Sequence, residues 1–182
     1  MKKLKTCCAL AIFFDVAVAC ALPVPKFEEY RVSTLYGGAS KAPDVASMDI
    51  YEIHACFGGS PQGFAGSSVN FAGHFVIQAC SCGSGCHYLV MWDAITGRMF
   101  YLQPPLGASG AIDVGPYEDG RTSPSLVYEG EHYQSDSALL IIEGCHEQTC
   151  DCAKRYYRWT GSEFKVILKH SVLMPAACRN KP

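Results

Sequence analysis

Asn70–Leu102 reads NFAGHFVIQACSCGSGCHYLVMWDAITGRMFYL. From Phe71 to Cys80 the residues alternate. Phe71, Gly73, Phe75, Ile77 and Ala79 share one face, and His74, Val76 and Gln78 the other, which is the period of a strand. Cys80, Cys82 and Cys86 mark a loop. Tyr88–Asp93 is apolar at successive positions and fits a strand buried on both faces. Ala94-Ile95-Thr96-Gly97 supplies a hairpin loop, with Gly97 suited to a positive φ. Met99–Leu102 returns as a third strand, and Pro104-Pro105 ends it because proline has no N–H for a ladder.

Much of this order returns in LIIEGCHEQTCDCAKRYYRWTGSEFKVIL, Leu140–Leu168. Val76-Ile77-Gln78-Ala79-Cys80 lines up with Ile141-Ile142-Glu143-Gly144-Cys145, Trp92 with Trp159, Gly97 with Gly161, and Phe100 with Phe164. Two copies are too few for a solenoid or a propeller. The expected fold is therefore mainly β, with α+β as the alternative. It is an antiparallel sheet of two related strand–loop–hairpin units, 70–102 and 138–168, plus a short N-terminal helix.

Outside the repeat, Phe27–Leu35 reads as a strand. Asp44 is placed to cap a helix whose stripe is Ala46, Ile50, Ile53 and Phe57, stopped by Gly58-Gly59. Gly59–Ser68 is a loop rich in turn residues. Gly107–Gln134 is the least regular part and carries Asp113, Glu118, Asp119, Glu129 and Glu131, with Asp136 just beyond it.

Residues 1–21 read as a signal peptide. Lys2, Lys3 and Lys5 precede an apolar run from Cys7 to Val18, and Ala19-Cys20-Ala21 is a cleavage signal. A second reading makes Cys20 a lipid-bearing cysteine that anchors the chain. The first predicts a periplasmic or secreted protein, with 22–182 as one domain. Beyond residue 21 the formal balance is 12 Lys and Arg against 16 Asp and Glu. That acidic balance argues against nucleic acid, which needs a basic face. The apolar stretches are too short to span a membrane, so the chain is not expected to be transmembrane.

Eight cysteines follow the leader: Cys56, Cys80, Cys82, Cys86, Cys145, Cys150, Cys152 and Cys178. An even number behind an export signal reads as a disulfide framework. The preferred pairs are Cys82 with Cys86, Cys145 with Cys150 or Cys152, and one bridge from the helix or the tail to the sheet. The alternative, zinc held by these cysteines with His87 and His146, fits the spacings C-x-C-x3-C and C-x4-C-x-C poorly. No metal or other cofactor is expected.

For chemistry, His74 is the one isolated candidate, beside Gln78 and four residues after Asn70; the second unit has Leu139 in its place. Such a histidine can bind or transfer a proton near neutral pH. The plainer reading has Asn70 and His74 bracing the entry to the first strand. A thiolate in C-G-S-G-C is disfavoured, because a bridged sulfur is no nucleophile. G-x-S-x-G, H-E-x-x-H and a phosphate loop are all absent from the sequence.

N-F-A-G-H-F at Asn70–Phe75, C-G-S-G-C at Cys82–Cys86 and D-x-x-T-G at Asp93–Gly97 resemble a set of exported bacterial proteins without an assigned activity, which share an N-F-A-G-H-[FY] strand and a C-G-[ST]-G-C loop. The likeness covers residues 45–102. Cys80 and the Cys150/Cys152 pair depart from it. It implies export and common descent, and no catalytic residues. The expected function is that of an envelope binding protein, inhibitor-like or immunity-like, with Asn70, His74 and Gln78 as candidate contacts and a protein or envelope component as partner. The alternatives are a small hydrolase using His74 with an acid from 107–136, and a metal-binding envelope protein.

Overall fold

The computed structural model describes residues 23–83, 86–101, 112–113, 130–146 and 151–171; within these, the side chains of 81–83, 86–87, 101, 112–113, 130 and 145–146 are left aside. The chain is mainly β, as expected. Its strands are β1 (Phe75–Gly83), β2 (Cys86–Asp93), β3 (Met99–Tyr101), β4 (Ile112–Asp113), β5 (Gly130–Tyr133), β6 (Leu139–His146), β7 (Asp151–Trp159) and β8 (Phe164–Ser171). Every pairing is antiparallel. Three strands, β1-β2-β3, form one arm and four, β5-β6-β7-β8, the other. The two-residue β4 joins them by pairing with both β2 and β6.

The arms close on one another. Phe75, Ile77, Leu89 and Met91 of the first pack with Leu140, Ile142, Tyr157 and Trp159 of the second. The Trp159 ring lies 5.3 Å edge-on from both Phe75 and Phe100. Each arm also buries its outer face. Val76, Cys80, Val90 and Trp92 lie under helix α1 (Ile50–Phe57) and its flanking segments, through Met48, Cys56 and Phe57. Leu139, Ile141 and Tyr156 lie under Phe27 and Tyr30. The segment before β1 thus covers the second arm first, crosses over, and then covers the first.

Local rules explain α1. Asp49 accepts from the Glu52 N–H at 2.8 Å while Glu52 reaches back to the Asp49 N–H at 3.0 Å, a reciprocal capping box. Gly58 ends the helix at φ 60°, a conformation in which a Cβ is costly. The cap is therefore Asp49 and not Asp44. Asp44 instead accepts from Ala46 N–H in a turn of its own.

Three further expectations need correction. Phe27–Leu35 is not a strand; Phe27–Tyr30 forms a 3-10 turn, followed by one bridge between Arg31 and Ser137. The alternating run from Phe71 is not all strand either. Phe71 and Phe75 exchange backbone hydrogen bonds of 3.1 and 2.9 Å across a tight turn, and β1 begins at Phe75. Ala72 and Gly73 hold φ of 43° and 86° in that turn, so His74 lies in the turn and not in mid-strand. Finally, the residue-by-residue repeat is not supported. The arms share an order of elements, but Trp92 stands opposite Val76 on an outer face, whereas Trp159 stands opposite Phe164 and points into the core.

Cys56 and Cys80 form a disulfide that ties α1 to β1, which is the expected bridge from helix to sheet. Cys152 is also disulfide-bonded. The side chains of Cys82, Cys86, Cys145, Cys150 and Cys178, and the acids Glu118, Asp119 and Glu129, lie outside the described residues. Among the described residues, no helix is long and apolar enough to cross a membrane.

Candidate functional site

Asn70, His74 and Gln78 do not converge on one point. The Asn70 side chain behaves as a piece of strand. Its Nδ2 donates to Ile77 O at 2.9 Å and its Oδ1 accepts from Ile77 N–H at 2.7 Å. This satisfies both main-chain groups of Ile77 on the edge of β1 that faces away from β2, where an open edge would invite foreign strands. Gln78 donates to the neighbouring Ala79 O at 2.8 Å. The His74 ring lies 4.1 Å from the Phe75 ring, tilted by 36°, and its main-chain carbonyl accepts from Ala94 N–H at 2.8 Å. Of the expected acids, Asp136 pairs with Arg31 at 3.6 Å.

The turn is the meeting point of three segments. Gly73 N–H donates to Ser135 O at 2.7 Å, Ala72 N–H to Ser137 O at 3.1 Å, and Gly73 O accepts from Tyr36 N–H at 2.7 Å. A Cβ on Gly73 would stand 2.4 Å from Thr34 O. Another backbone therefore approaches this glycine more closely than a side chain would allow.

Beside the turn lies an open cleft of about 300 Å³. Leu35, Tyr36, Gly37 and Gly38 line one part of it, Gly66, Ser67, Ser68 and Val69 another, and Ser135 a third. Tyr36 and Ser135, the two residues that grip Gly73, are both in its wall. The lining contains no charged side chain. Leu35 is 56% exposed although apolar. Sequence reading missed this cleft because Gly37-Gly38 and Ser67-Ser68 look like ordinary turn residues. The available signal was indirect, in that G-G and S-S flank two stretches with no hydrophobic period.

A second polar cluster sits on the inner face of β7. Register places Arg155 opposite Ile142, a core residue. Arg155 is only 4% exposed. Its guanidinium reaches back to Asp151, with Nη2 2.7 Å from the main-chain O and 2.9 Å from Oδ2. Lys169 Nζ holds the same carboxylate oxygen at 2.7 Å. Burial pushes the Asp151 carboxyl up, but the hydrogen bonds from Lys169 and Arg155 and their charges outweigh it and hold it below the usual carboxylate range. Burial raises the Tyr157 hydroxyl above its usual value, and raises that of Tyr133, where the charge of Glu131 adds to it. Arg155 Nε and Glu131 Oε1 are buried without a hydrogen-bond partner among the described residues. This corner is a set of charges serving the second arm.

Among the described residues no three His, Cys, Asp or Glu gather as metal ligands would. Comparison with protein-family models, with curated proteins and with solved structures finds no match.

Proposed function

We propose that the chain is an exported binding protein of a bacterial envelope, and that its contact surface is the cleft beside the Phe71–Phe75 turn. The observation that carries this is the double use of Tyr36 and Ser135. Each holds Gly73 by a 2.7 Å main-chain hydrogen bond, and each lines the cleft. The N-F-A-G-H stretch thus braces a recognition surface, and His74 contributes through its main chain and its ring packing.

Three features support a binder over a hydrolase. The His74 ring rests on Phe75. The cleft wall is uncharged, whereas acid–base work needs a titrating group within hydrogen-bond reach. The Cys56–Cys80 bridge fixes α1 to β1, which suits a rigid scaffold in an oxidising compartment.

The test passes an envelope extract over the immobilised oxidised protein and two variants. Leu35→Arg alters the cleft. Ile95→Arg alters an exposed apolar residue of the β2–β3 loop that is not in the cleft wall. The expected result is a component retained by the wild type and by Ile95→Arg and lost with Leu35→Arg. Equal retention by all three, or no retention at all, overturns the proposal. So does turnover of ester or peptide substrates that disappears in His74→Ala.

A further inference from the structure

We infer that the cleft takes an extended, uncharged peptide segment and recognises it through its main chain; this rests on the reading of the chain as a binding protein. Every main-chain N–H needs an acceptor, from protein, water or ligand. In the first wall Tyr36 N–H is taken by Gly73 O, and in the second Gly66 N–H is taken by Ser40 O and Ser67 N–H by Phe64 O. The N–H groups of Leu35, Gly37, Gly38, Ser68 and Val69 make no backbone hydrogen bond among the described residues. Both walls run without regular secondary structure, and they line an open cleft. Main-chain N–H groups with no backbone acceptor among the described residues thus stand on both sides of the cleft, and an extended peptide can accept from them with its own C=O groups.

The side chains narrow the ligand class. With no charge in the wall, neither a carboxylate nor an ammonium group finds an ion partner. Leu35 offers one apolar contact. The Tyr36 hydroxyl is tied to Ala39 O at 3.2 Å, and its ring lies against Gly38, where a Cβ would meet the hydroxyl oxygen at 2.4 Å. That hydroxyl is committed to its own loop. A peptide with small and aliphatic side chains fits what remains.

Preorganisation adds to the argument. Gly73 ties the first wall to Ser135, accepting from Tyr36 and donating to Ser135. Walls that are already fixed do not have to be ordered on binding, which removes part of the cost of association.

The experiment uses the full exported chain with its disulfides intact, labelled with 15N. The probe is a pool of N-acetylated, C-amidated hexapeptides built from Gly, Ala, Ser and Leu. The expected result is saturable shifts of the amide signals of Leu35, Gly37, Gly38, Ser68 and Val69. Replacing alternate peptide carbonyls in the pool by thiocarbonyls, which accept hydrogen bonds poorly, should weaken binding at least about tenfold, as weakened main-chain hydrogen bonds imply. Gly73→Ala, which touches no ligand, should also weaken it by displacing the Thr34–Tyr36 wall. Shifts elsewhere on the surface, or equal binding of the thiocarbonyl pool, overturn the inference. So does a neutral disaccharide that shifts these amides when the peptides do not. The failures are separable. An envelope component that is retained in a Leu35-dependent way but not displaced by the peptide pool sinks the peptide class and leaves the binding-protein reading standing.

Discussion

The two arms have the same order of strand, loop, strand, turn and strand, yet they are stabilised differently. The first arm is a slab between two apolar layers. Leu89 and Met91 face the core, Val90 and Trp92 face α1, and all four are buried. The second arm is less completely covered. Its outermost strand β8 is largely exposed, and its inner face carries Arg155 and Asp151. The tryptophans that the repeat equates make the contrast concrete. Trp92 Nε1 donates to Ser40 Oγ and Lys41 O, each at 3.2 Å. Trp159 Nε1 is buried without a hydrogen-bond partner among the described residues. A shared order of elements therefore does not fix which face a residue meets; strand register decides that.

The largest expected effect tests what holds the first arm. Replacing Cys56 and Cys80 together by alanine should destabilise the protein by about 2–5 kcal/mol, the usual cost of a native bridge in a small secreted domain. Denaturant midpoints under oxidising conditions measure it. A change near zero would mean that packing alone secures α1.

In the second arm, Asp151→Asn should cost about 3 kcal/mol near pH 7, because it leaves the buried Arg155 guanidinium short of its counter-charge. The pH dependence follows from the lowered carboxyl. Its stabilisation is fully present above the unfolded-state value of about 3.9 and is lost as pH falls through the lower folded-state value. The gap between wild type and variant should therefore stay constant from pH 7 to about pH 5 and close only below about pH 4. A gap that closes near pH 6 would assign the effect to another group.

The tryptophans give the sharpest contrast. Trp92→Phe creates a gap and leaves Lys41 O without its indole donor, at a cost of about 2–3 kcal/mol. Trp159→Phe makes a similar gap but removes a donor with no acceptor among the described residues, so it should cost about 1 kcal/mol or less. Equal losses in thermal or chemical denaturation would erase the distinction between the arms.

The smallest effects concern the turn. Asn70→Ala should cost about 1–2 kcal/mol through the two lost bonds to Ile77. His74→Ala should cost about 1 kcal/mol through lost ring packing on Phe75. Gln78→Ala should fall within about 0.5 kcal/mol, as for most partly exposed positions without a structural role. Urea midpoints rank the three, and His74 ranking above Asn70 would reverse their assignment.

Much of this architecture is legible in the sequence. The apolar run Tyr88–Asp93, the turn at Gly97 and the strands after Ala138 and after Gly161 all stand where local pattern puts them, because burial imposes a short period on a strand. The helix end at Gly58 is legible for a similar reason, since a left-handed residue there favours glycine. The functional surface is less so. Asn70 was expected to hold nearby backbone and does, but the cleft depends on Tyr36 and Ser135 meeting at Gly73, and nothing local to either residue announces that meeting. Nor does a lysine- and arginine-bearing strand reveal that Arg155 is the buried member.

By itself the sequence determined the class of fold, the strand–loop–strand–turn–strand order that the arms share and the presence of a short helix ahead of them, since these follow from periodicity, turn chemistry and residue type acting over a few positions; whether helix or tail is bridged to the sheet it left open. Tertiary structure decided the rest: that Phe71–His74 is a turn, that Trp92 and Trp159 face different layers, and that the N-terminal segment lies against Gly73 to wall a cleft. Each of those depends on register and on contacts between segments far apart in the chain, where a shift of one residue reverses a face and no local pattern records the choice.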